Sequence, residues 1–139
     1  MATQTTITDL TVNSTTHCYQ LTKDQMEGIQ NKGATTALDK GIYVIRIKDG
    51  AFDYVKDANE VESEPLVMLW IYGGKFKNLK THKQVSAGWS TLNGYDDTVT
   101  LAVSDPCKLC AFFFDTEIKD NAGDVIVSVV KVDEYREFN

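Results

Sequence analysis

The run LVMLWIY (66–72) is apolar at every position. Successive side chains of an extended strand point to opposite faces, so this run presents apolar groups on both. Such a strand must be buried on both faces or lie in an interface. The chain has 139 residues. A domain of that size buries roughly 65–70% of its unfolded surface, which is enough to surround such a strand without disulfide or metal staples.

Other segments read as partners for it. GIYVIRI (41–47) is rich in β-branched residues, and Asp49-Gly50 reads as a two-residue hairpin link into AFDYV (51–55). DANEVESEP (57–65) is an acidic loop without periodicity. Gly73-Gly74 is expected to turn the chain back into KFKNL (75–79). QVSAGWSTL (84–92), DTVTLAV (97–103), LCAFFF (109–114) and VIVSVVKV (125–132) follow. In DTVTLAV, Val99, Leu101 and Val103 share one face.

One helix signal stands ahead of these strands. Thr22 and Gln25 form a capping box, Leu21 and Met26 occupy the staple positions, and Gly33 supplies a stop. A helix over 23–31 is expected, with Met26 and Ile29 inward. Residues 1–21 read as a strand or an ordered arm. The expected fold is all-β, a two-sheet β-sandwich or jelly roll with one short N-terminal helix. Its organisation is an arm with the helix (1–33), the sandwich (34–132) and a charged tail (133–139), the tail being a loose end or an oligomer contact.

Charge narrows the partners. The net charge is −6, which argues against nucleic acid and anionic membrane, since both need a basic footprint. It mildly favours a cation. Apolar residues at 42% and charged residues at 24% are ordinary for a soluble domain. No basic segment followed by an apolar stretch opens the chain, and no run is long enough to span a bilayer. With three cysteines, an odd number, the expectation is a cytoplasmic, reducing compartment and free thiols.

FFFDTEIKDNAGDVIV (112–127) reads as two strands joined by a turn carrying Asp115, Glu117, Asp120, Asn121 and Asp124. These groups repel unless they are solvated or a cation sits among them. Calcium takes six to eight oxygen ligands. Asp115, Asp120 and Asn121 can supply side-chain ligands, and Gly123 lets the backbone approach closely. The alternative is an ordinary solvated turn, because Asp and Asn cap their own backbone.

In GWSTLNGYDD (88–97), Trp89, Asn93 and Tyr95 have the chemistry of a sugar platform. The alternative there is a core tryptophan followed by a turn at Asn93-Gly94. Cys107 and Cys110 form a single C-x-x-C, but residues three apart on a strand face opposite ways, so free thiols are expected. His17 and His82 are isolated. No nucleophile-elbow, phosphate-loop or paired-histidine motif occurs, so no enzyme is expected.

From Ala34 to about Val130 the chain resembles the small jelly-roll domain of the bacterial galactose-binding calcium lectins. GIYVIRIKDGAFDY is similar to that family's early strand, and EPLVMLWIYGG to its apolar central strand. Asp115 followed by Asp120-Asn121-Ala122-Gly123 and VIVSVV resembles its calcium loop. The chain also looks like a group of small uncharacterised cyanobacterial proteins. The lectin resemblance implies a Ca2+ cofactor held by Asp115, Asp120, Asn121 and the backbone carbonyl of Leu38. A further carbonyl would come from between Glu117 and Lys119.

Two departures stand against the family pattern. The loop from Asp115 to Asn121 is shorter, and DANEVESEP replaces the segment that carries the sugar-contacting histidine and glutamine. The expected function is a calcium-binding, lectin-like module engaging glycan through the ion. The alternative is a non-catalytic structural or assembly protein that forms a homo-oligomer without an ion, suggested by the two-sided strand with Trp70 and Tyr72.

Overall fold

A computed structural model describes residues 6–50, 65–113 and 123–136. The elements are α1 (Lys23–Lys32), β1 (Ala34–Leu38), β2 (Gly41–Gly50), β3 (Leu66–Asn78), β4 (Lys83–Asn93), β5 (Thr98–Asp105), β6 (Cys107–Phe112) and β7 (Val125–Asp133). All seven strands join one sheet in the order β1-β6-β3-β5-β2-β7, with β4 on the other side of β3. Every pairing is antiparallel. Among the described residues no helix is long and apolar enough to cross a membrane.

The register shows that several strands are longer than their names suggest. Only Asp39 and Lys40 separate β1 from β2, and only Pro106 separates β5 from β6. Leu38 pairs with Cys107, and Gly41 with Val103. On the other flank Tyr72 pairs with Lys108, and Lys75 with Asp105. Gly74 therefore lies opposite Pro106, and Pro106 opposite Asp39. Two neighbouring strands are interrupted and β3 is irregular along one line, so the sheet has a crease.

The crease bends β3 sharply. A straight strand of this length would span roughly 40 Å. Yet Pro65, just before β3, accepts a hydrogen bond from the Gly94 amide at 2.8 Å. Lys80, just after β3, meets Asp97 at 3.3 Å. Gly94 and Asp97 are three residues apart, so at most about 11 Å of backbone lies between them. The two ends of β3 can meet the same short loop only if the strand doubles over at Gly73-Gly74. The result is a curled antiparallel half-barrel.

The core fills the inside of the curl. Tyr43, Ile45 and Ile47 of β2, Val99, Leu101 and Val103 of β5, and Cys107 and Leu109 of β6 point inward. On β3 the inward residues are Val67, Leu69 and Ile71, and then Phe76. The step from Ile71 to Phe76 reverses the parity of the strand, as an extra residue at a bulge requires. The outward residues Met68, Trp70 and Tyr72 are half-buried. The apolar run is thus covered on both faces, by the core inside and in part by α1 outside.

The helix forms as its signals predict. The Thr22 side chain accepts from the Gln25 amide, and the Gln25 side chain accepts from the Thr22 amide. Met26 and Ile29 are half-buried against the outer face of the sheet. Gly33 ends the helix for a different reason from the one expected. Its backbone is extended, not left-handed. A Cβ there would stand 2.3 Å from Cys110 Sγ.

Other expectations change. Gly73-Gly74 does not reverse the chain into a hairpin. LVMLWIY and KFKNL are two arms of one bent strand, because Gly74 faces a neighbour, Pro106, across the sheet. The hairpin instead closes at 79–82, where the Asn78 side chain accepts from the Lys80 amide and His82 takes φ +58°. Strand AFDYV and most of the acidic loop lie outside the described residues. Among the described residues there is one creased sheet and not two. The tail as far as Arg136 is held in place: Lys40 lies over the Tyr135 ring at 5.2 Å, and Arg136 pairs with Asp133 at 2.8 Å.

The crease rests on a close backbone approach, since a Cβ on Gly74 would sit 2.1 Å from the Pro106 carbonyl oxygen. Gly73 has φ +88° but open space around it. Gly74→Ala is therefore expected to destabilise by about 2–3 kcal/mol through overpacking. Gly73→Ala should lose only about 1 kcal/mol from its backbone angle. Urea unfolding of both variants checks this, and equal losses would remove the crease contact.

Candidate functional site

The acidic turn read from the sequence has only its borders on view. Asp115, Asp120 and Asn121 lie outside the described residues. Phe113 on one side and Asp124 on the other both line a cleft of about 490 Å³. Ala34 and Thr36 of β1 form one wall, and Val125, Val127 and Val129 of β7 form another. The cleft exists because β7 pairs with β2 but not with β1. Gly123 has φ +92°, and Asp124 is exposed.

Leu38, whose carbonyl the lectin resemblance names, sits at the crease end of β1. Its side chain is 1% exposed and belongs to the core. Four residue steps, roughly 13 Å, separate it from Ala34 and its partner Ala111. Among the described residues no group of three or more His, Cys, Asp or Glu side chains is arranged to hold a metal.

The residues of the expected sugar platform have separate partners. Trp89 lies on the outer face, directly opposite Trp70 in the β3–β4 register. The two rings are 4.3 Å apart, Phe112 meets Trp89 edge-on at 5.9 Å, and Tyr72 stacks on Trp70 at 6.0 Å. Trp70 Nε1 donates to Gln30 Oε1 of α1 at 3.2 Å, which anchors the inner ring of this cluster. Trp89 remains 46% exposed, so it is the solvent-facing member and not a core residue.

Asn93 shares the Trp89 face of β4 but lies four residues further along. Its amide donates to Asp97 Oδ2 at 3.0 Å. The Tyr95 hydroxyl donates to the Gly50 carbonyl at 2.6 Å and ties the turn to the end of β2. The turn expected at Asn93-Gly94 is present, with Gly94 at φ +95°.

The thiols and histidines behave as isolated groups. Cys107 is in the core, and burial pushes its thiol up to about 11. Cys110 is on the opposite face, where Sγ donates to the Ile29 carbonyl at 3.1 Å and burial again raises its pKa. Cys18 is exposed, and all three are free. His17 Nδ1 accepts from the Asn13 amide at 2.9 Å, a local turn contact.

Two surfaces escaped sequence reasoning. The first is the cross-strand tryptophan pair. Counting back from the hairpin at 79–82 does not find it, because the irregularity between Tyr72 and Phe76 shifts the register ahead of Trp70. The second is an apolar arm that is exposed along its length. Ile7, Leu10, Val12 and Tyr19 are 79–98% exposed, although their loose alternation suggested a strand.

Among the described residues, Asp97 is the one carboxylate held below its usual range. The Asn93 amide is the main cause, and Lys80 adds to it against partial desolvation. A lowered folded pKa contributes stability above the unfolded value of about 3.9, and that contribution is lost as pH falls through the folded value. Asp97→Asn should therefore destabilise at pH 7, with the difference from the parent narrowing as the pH is lowered through the acid range. Urea unfolding across that range reads the effect; a pH-independent difference would show that the charge is irrelevant.

Comparison of the chain with family models, with curated proteins and with solved structures finds no match, so its function is read from its own residues.

Proposed function

We propose that the protein is a non-catalytic assembly module that associates with copies of itself into a homo-oligomer. The observation that carries this reading is the open edge of β4. This strand has eleven residues and, among the described residues, pairs only with β3. Sheet edges are ordinarily blunted by charge, proline, bulges or a covering segment, because unpaired amides and carbonyls recruit other strands. β4 carries one charge, Lys83, and no proline. Trp89 on β4, together with Ile126, Val130 and Val132 on β7, adds large side chains that are 46–54% exposed. Sedimentation and light scattering from low micromolar to near-millimolar concentration should give a mass that is a multiple of one chain. A single-chain mass throughout would end this reading.

A second reading is a calcium-binding, lectin-like module. It is supported by the convergence of Phe113 and Asp124 on one cleft, which brings together the two ends of the acidic segment. On this reading Asp115, Asp120 and Asn121 hold the ion and a glycan meets it there. The crease would then be the boundary between the two sheets of a jelly roll. An ion at about a hundred times its dissociation constant adds roughly 2.7 kcal/mol. That raises Tm by on the order of 5–10 °C for a domain of this size. Calcium, but not magnesium, should produce the rise over an EDTA baseline, and Asp115→Ala or Asp120→Ala should abolish it. No shift in the parent would leave the segment a solvated turn.

A further inference from the structure

We infer that residues 6–12 of one copy add as a strand to the open edge of β4 in a second copy. This rests on the self-association reading and names its contact. The arm, TITDLTV, has β-branched residues at five of seven positions. Ile7, Leu10 and Val12 are 79–87% exposed in the single copy. None of residues 6–12 makes a hydrogen bond. The arm therefore has both unburied apolar side chains and an unpaired main chain.

The β4 edge offers the complement. Among the described residues its main chain is unpaired on the outer side. A shallow groove lined by Lys75, Gln84, Val85, Ser86 and Ala87 follows the first half of the strand. Further along, Gly88 and Ser90 carry little bulk of their own, and the Phe76 ring backs Gly88, its Cζ 3.4 Å from where a Cβ would stand. Trp89 on the outer face would lie beside the alternate arm residues. Strand addition draws affinity from main-chain hydrogen bonds and specificity from such alternate positions.

Charge points the same way. Residues 73–95 contain Lys75, Lys77, Lys80 and Lys83 and no acid, in a chain of net charge −6. Asp9 is the sole charged side chain of the arm segment. The arm thus brings an anion to the most basic edge of an acidic protein. Two copies that exchange arms reciprocally form a closed two-fold dimer and cover both β4 edges.

Sedimentation of the full chain beside Leu10→Asp/Val12→Asp tests the proposal. The substituted side chains are 87% and 79% exposed in the single copy, so an unchanged circular dichroism spectrum and Tm for the monomer confirm that the fold survives. A two-chain mass for the parent and a one-chain mass for the variant support the inference. A variant that stays dimeric overturns it but leaves self-association standing, and a monomeric parent overturns both. A second arm uses two tagged chains in a Cys18→Ser background, one with Leu10→Cys and one with Thr91→Cys. A mixed disulfide between the chains on mild oxidation supports exchange. A disulfide that forms only when both substitutions are in one chain overturns it in favour of the arm folding onto its own edge.

Discussion

The contact of Gly74 with the Pro106 carbonyl is the point on which the rest of the structure turns. Glycine lets the β3 backbone approach its neighbour, and proline breaks the ladder on the facing strand at the same height. Asp39 and Lys40 interrupt the third strand on the same line. Because all three strands bend together, the sheet folds over without losing its pairing on either side. The core, the cleft beside β7 and the short loop joining β4 to β5 all follow from that bend. A flat sheet of the same pairings would leave the ends of β3 too far apart for that loop to bridge.

The outer face has its own lock. α1 has no fully buried residue, so its own burial holds it only weakly. It is held by particular contacts: Gln30 on Trp70, the Ile29 carbonyl on Cys110, and the close seat of Gly33 over the Cys110 sulfur. These place the helix beside the aromatic cluster and leave Trp89 facing water. The two cysteines that look like a pair in the sequence thus serve different layers, one in the core and one under the helix.

Local signals carried much of the architecture. The capping box, the alternation of Val99, Leu101 and Val103, and the two-faced apolar run each describe a few adjacent residues, and each appears as expected. The crease could not be read that way. Gly-Gly after a strand has the same local chemistry in a hairpin and in a corner, and only the residue opposite decides between them. The candidate site divides along the same line. The turn at Asn93-Gly94 was legible, whereas the bond from Tyr95 to Gly50 spans 45 positions and leaves no local trace. The proposed calcium ligands Asp115, Asp120 and Asn121 were drawn from a pattern of residue types, and they lie outside the described residues.

The strand order has a consequence for how the chain reaches this state. Among the described strands only β3 and β4 are joined as a simple hairpin. The strand that lies between β3 and the β1–β2 strand is β5–β6, which is made after both. Until residues as far as Phe112 are available, β3 lacks, among the described strands, its ladder partner on that edge. Closing such long-range pairings is slow, because loop entropy is lost before contacts compensate it. During synthesis the β3–β4 hairpin, with its tryptophan pair, is the piece able to form early. It must hold the apolar segment of β3 out of aggregation until the later strand arrives.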